Sequence, residues 1–114
     1  MRREDLTIHM RGDVVVIVFS SIFCLCPDEE LTPLIANQLE QGGLKFILDL
    51  RQVEYITSVT LGGVVKAHSM VTGKGGRLIL LGVVRRIREL LDKTNLSQLI
   101  EMFDVEADAR QSLK

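Results

Sequence analysis

At 114 residues and a formal net charge of −1, the chain is sized for one domain around a single core and has no overall attraction to nucleic acid or acidic lipid. Its 46% hydrophobic and 25% charged residues exclude a disordered chain. No apolar run reaches the length of a membrane span, and the charged start MRREDL leads into no hydrophobic region. A soluble, cytoplasmic domain over residues 1–114 without direct membrane insertion is expected.

The segments LTIHMR and DVVVIVFSSIF predict two strands joined at Gly12-Asp13, a pair that tolerates the positive φ of hairpin turns. Cys24 and Cys26 follow as C-x-C in IFCLCPD. A zinc site needs three or four ligands and only His9 and His68 remain to supply imidazoles, so both cysteines are read as structural and no metal is expected. PDEELTPLIANQLEQGG predicts a helix with Leu31, Leu34, Ile35 and Leu39 on one face. Thr32 is its expected cap, with Pro33 at the first helical position and Gly42-Gly43 at the end; Asp28 as cap would leave Pro33 breaking the helix.

KFILDL reads as a central strand, and a second helix is predicted from about Ser58 to Thr72. GRLILLG is the next strand. VVRRIRELLDKT is helical with Val83, Val84, Ile87, Leu90 and Leu91 on one stripe. LIEMFDV is a short apolar run, and EADARQSLK adds a last helical turn or two. Alternating strands and helices argue an α/β fold: a mixed sheet of four or five strands, helices mainly on one face, and an exposed edge by which a homodimer is possible.

On the helix from Ser58, steps of about 100° put Leu61, Val64, Val65, His68 and Val71 on the core face. His68 is then a partly buried structural histidine. Val59, Gly63, Lys66 and Met70 fall on the opposite arc and are expected to face outwards as a docking surface of small and apolar groups around one lysine. Two adjacent glycines in a helix cost roughly 1 kcal/mol each relative to alanine, which points to a reason other than stability. Thr57 or Ser58 can cap this helix, and the same N-terminus would favour a phosphate on Ser58, placing negative charge within an apolar surface.

Enzymatic readings find little support. GKGG at Gly73 to Gly76 precedes a strand, the wrong order for a phosphate loop, and two histidines offer no nucleophile and base pair, so no catalytic residue or cofactor is expected. Arg85, Arg86 and Arg88 have Glu89 and Asp92 at helical neighbour spacing, which predicts a solvated face with modest ion pairs and no nucleic-acid binding.

From about Asp5 to Ala109 the chain resembles the anti-sigma factor antagonists, the single-domain branch of the STAS family. The resemblance lies in FILDLRQVEYITSVTLGGVV, where that family has a strand ending in Asp-Leu and then a phosphoacceptor motif, Asp-Ser-Ser/Thr-Gly-Leu-Gly, opening a helix. It continues through GGRLILLGVVRRIRELLDKTNLSQLIEMFDVEADA. The resemblance implies the STAS fold and puts the phosphorylated serine on Ser58, with Leu61 and Gly62 matching the motif's leucine and second glycine. Thr57 replaces the aspartate, Val59 the serine or threonine, and Thr60 the first glycine; Thr57 and Thr60 are alternate acceptors. SSIFCLCPDEEL stands where relatives show Gly-Glu-Leu-Asp, so an acidic docking loop would use Asp28, Glu29 or Glu30. The implied function is a phosphoprotein that regulates transcription by partner switching. It would bind an anti-sigma factor with serine kinase activity through Ser58, Val59, Thr60, Gly62, Gly63, Lys66 and Met70, with Asp28 and Glu29 beside them. The alternative is a non-phosphorylated STAS scaffold or a soluble component of a membrane transporter complex.

Overall fold

The computed structural model describes residues 6–19, 27–54, 56 and 58–113, with the backbone alone at 6, 27–30 and 58–60. Two antiparallel strands open it, β1 (Leu6–Arg11) and β2 (Val14–Phe19), closed by Gly12-Asp13 with Arg11 opposite Val14. Helix α1 (Pro27–Glu40) leads to β3 (Lys45–Asp49), α2 (Ser58–Gly73) to β4 (Arg77–Leu81), and α3 (Arg85–Lys93) to β5 (Glu101–Phe103) through one 3-10 turn. α4 (Glu106–Ser112) closes the chain. The sheet order is β1-β2-β3-β4-β5, with β2 to β5 parallel, so β1 and β5 are its edges.

Strand alternation divides the apolar residues between two layers. Val15, Ile17, Phe19, Phe46, Leu48, Leu78 and Leu80 meet the helices α1, α2 and α3 on one face. Val14, Val16, Ile47, Ile79 and Leu81 point to the other, where Ala109 and Leu113 from the C-terminal helix pack on them. The expected α/β architecture, a mixed sheet of four or five strands with helices mainly on one face, forms with five; α4 is the exception that covers the reverse side. Among the described residues no helix is long and apolar enough to cross a membrane.

Two local expectations need correction. α1 begins at Pro27 and carries Pro33 inside it, rather than starting at Pro33 with Thr32 as cap. Proline at the first helical position needs no N–H donor, so Pro27 can open the helix. The amphipathic face then continues through Pro33, with Leu31 and Ile35 on either side of it fully buried. The α3 arginines make no ion pair within their helix. Arg88 instead reaches Asp104 beyond β5, Nη1 to Oδ1 3.8 Å. Cys24 and Cys26 lie outside the described residues.

Candidate functional site: the edge where the parallel strands end

Each helix on the main face runs back against the strand before it, so α1, α2 and α3 all begin at the edge where β2, β3 and β4 end. Asp28 and Glu29 stand in the first turn of α1, Ser58 is the first residue of neighbouring α2, and Arg85 is the first of α3. The backbone therefore brings the acidic stretch and the candidate phosphoacceptor to one end of the molecule.

The loop from β3 to α2 is held by its own apolar residues. Leu50 and Val53 are 3% and 2% exposed, the Leu50 N–H donates to the Leu81 carbonyl at 2.9 Å, and the Val53 N–H donates back to the Leu50 carbonyl at 3.0 Å. Between them Arg51 and Gln52 are exposed, and Ile56 packs half-buried on the core. Pinning the loop at Leu50, Val53 and Ile56 fixes where α2 starts. No acidic residue occupies its first turn, so no side chain of that turn offsets the positive end of the helix.

An ion-pair network runs across the reverse face from this edge. Asp49, the last residue of β3, is buried beneath Arg51 and linked by it to Glu106 of α4, Nη2 to Oε1 3.6 Å; Glu106 also meets Arg11 at 3.6 Å. The hydrogen bond and charge of Asp49 hold the Arg51 guanidinium above its ordinary pKa. In the sequence Asp49 stands out only as part of the Asp-Leu that ends a strand, yet an aspartate closing a buried apolar strand two residues before an arginine is itself a signal for this bracing role.

Helix α2 departs from the expected orientation. Leu61, Val64, His68 and Val71 are buried as predicted, and Val65 only partly. Gly63, expected outside, is buried. It shares a stripe with Ala67, Met70 and Lys74, and Met70 and Lys74 line a hollow with Ala36, Leu39 and Glu40 of α1. Met70 is half-buried against the core. The helix buries two faces, one on the sheet and one along α1, so from Leu61 onwards its exposed residues narrow to Gly62, Lys66, Ser69, Thr72 and Gly73. A Cβ at Gly62 or Gly73 would meet nothing within 4 Å. Burial holds the His68 imidazole below the ordinary histidine pKa, opposed in part by the charge of Glu101. No group of three or more His, Cys, Asp or Glu suited to a metal occurs among the described residues.

Comparison with known proteins agrees with this architecture. The STAS domain model matches residues 5–109. The anti-sigma-B factor antagonist of Listeria monocytogenes is 31% identical over 85 residues, spanning 71% of this chain and 75% of that protein. Among solved structures, a candidate anti-sigma factor antagonist of Thermotoga maritima superposes with a TM-score of 0.82 at 22% identity, over 95% of this chain and 93% of that one. The Bacillus cell fate determinant SpoIIAA in its phosphorylated form superposes with a TM-score of 0.73 at 18% identity, over 96% and 99%.

Proposed function

The chain belongs to the STAS domain family, and on that premise we propose that it acts as an anti-sigma factor antagonist: a binding protein whose partner face lies at the start of α2 and whose affinity is set by phosphate on Ser58. One observation carries the reading. Ser58 opens a helix without an acidic first turn, beside the exposed strip of Gly62, Lys66 and Ser69. The name of the Listeria relative supports the function, and the phosphorylated Bacillus structure supports a fold that tolerates the modification.

A phosphate at a helix N-terminus is favoured by about 0.3 to 1 kcal/mol, so the domain stays folded. Within an interface the same group loses water without an assured cationic mate, at a cost of several kcal/mol, enough for a hundredfold loss of affinity. The interface effect wins. The partner is then an anti-sigma factor with serine kinase activity, which binds the unmodified form and releases the modified one, and the acidic first turn of α1 at Asp28 and Glu29 borders the same face.

The experiment mixes the protein with an anti-sigma factor kinase and ATP and locates phosphate by mass spectrometry. Ser58 is the expected site; Ser58→Ala is expected to bind regardless of ATP, and Ser58→Glu to bind weakly while melting near the parent. Modification at Thr57 or Thr60 would move the switch within the loop. Thr57, standing where the family motif has aspartate, favours the second reading, a non-phosphorylated scaffold. No modification, together with full binding by Ser58→Glu, would establish that reading and overturn the first.

A further inference from the structure

The cations of α3 are placed where helix physics disfavours them. Arg85 and Arg86 stand in its first turn, at the positive end of the dipole, and Val84 before them provides no side-chain cap. Arg85, Arg86 and Lys93 have no ion-pair partner among the described residues, although Glu89 lies three residues from Arg86 and four from Lys93. Between the start of α3 and the loop before α2 lies an open depression of about 330 Å³, floored by Ile56, Ile87 and Leu90 and edged by Arg86, Glu89 and Lys93.

We propose that this depression is a second docking site, apart from the α2 strip, which receives an acidic amphipathic segment of a protein partner. Arg86 and Lys93 are seven residues apart, about 10.5 Å along the helix. Two carboxylates at that separation, on a segment whose apolar side chain enters between them, complement both the charge and the floor. Exposed ion pairs are individually weak, so the apolar insertion supplies most of the affinity while the cations select the sign of the partner. Discrete carboxylates suit the site better than an anionic membrane surface. Glu89 on the rim and Asp92 beside it would face any continuous sheet of negative charge, and the net charge of −1 gives no long-range attraction to one.

The probe is a synthetic helical peptide with leucines on one face and glutamates seven residues apart, followed by fluorescence anisotropy against its lysine-for-glutamate counterpart. The acidic peptide is expected to bind and the basic one not. The double variant Arg86→Glu, Lys93→Glu should lose at least about tenfold in affinity and acquire binding of the basic peptide, whereas Arg85→Glu, at an exposed cation outside the depression, should change little. Amide shifts of the unmodified protein at Ile56 and along Arg86 to Lys93 on titration give the same answer without any variant. Equal loss in Arg85→Glu, equal binding of the two peptides, or shifts elsewhere would overturn the site. Retention on phosphatidylglycerol vesicles that is lost in the double variant would assign the cations to a lipid surface and overturn it too.

Discussion

Arg51 closes over Asp49 with two donors, Nε at 3.0 Å from Oδ1 and Nη2 at 2.7 Å from Oδ2, while its own backbone N–H donates to Oδ1 at 3.1 Å. The carboxylate is 5% exposed and the guanidinium side chain 53%, so the pair seals a buried charge at the end of β3 from outside. A lone buried carboxylate would be costly; three donors and the neighbouring charge compensate it.

This pair explains the glycine that follows β4. Gly82 has φ +68, and a Cβ built on it would overlap Arg51 Cγ. Gly82→Ala is therefore expected to lower stability by about 1–3 kcal/mol, partly from backbone strain and partly by displacing Arg51 from Asp49. In an Arg51→Ala background the second contribution is already gone, and the same substitution should cost less. Urea unfolding of the four proteins measures the coupling; strictly additive losses would reject the contact between the two positions.

His68 gives a pH dependence with a definite sign. The residue is 8% exposed and its pKa lies below the ordinary histidine value, chiefly through burial. In the interval between the lowered native value and the unfolded value near 6.5, the unfolded chain binds the extra proton, so stability rises with pH there. Stability at His68 is fully present above the unfolded value and is lost as pH falls towards the native one. Melting temperature should drop between neutral and mildly acidic pH, and His68→Gln should flatten that part of the profile. An unchanged slope in the variant would mean that another group titrates.

The sheet was legible because each parallel strand announces itself: KFILD and RLILL are short apolar runs with nearly every side chain buried. The start of α2 at Ser58 was legible for the same reason, since LRQVEYI has too little helical period to extend it backwards. The outward face of α2 was not, because an angular plot assumes one buried side, and Gly63 is buried on the arc that such a plot leaves outside. Charge spacing likewise predicted partners for the α3 arginines, yet side chains at i+3 and i+4 pair only when their rotamers converge, and here Arg88 reaches across to Asp104 instead.

Pro33 predicts a gain of stability. Within α1 it removes one backbone hydrogen bond and crowds the preceding turn, a cost of up to about 3 kcal/mol. Pro33→Ala should raise the unfolding free energy by about 1 kcal/mol or more, read as a higher denaturation midpoint. A loss of stability would show that the proline ring packs favourably beside Leu31 and Ile35.

The two adjacent glycines of α2 separate fold from binding. Gly62 is exposed, a Cβ there meets nothing within 4 Å, and its φ is not in the left-handed region. Gly62→Arg therefore replaces a poor helix former with a good one and should melt no lower than the parent, with up to about 1 kcal/mol of helix propensity recovered. Gly63 is buried, so Gly63→Arg forces a long charged group into a closed position and should unfold the domain or lower its stability by several kcal/mol. If the exposed strip from Gly62 to Lys66 meets the partner, Gly62→Arg should abolish that binding in a fully folded protein, because a guanidinium and its three-carbon stem would occupy the space where the partner backbone approaches. Thermal melts of both variants, with a binding isotherm for Gly62→Arg, decide each part separately. A stable Gly63→Arg would refute the burial of Gly63, and undiminished binding by Gly62→Arg would move the partner off this strip.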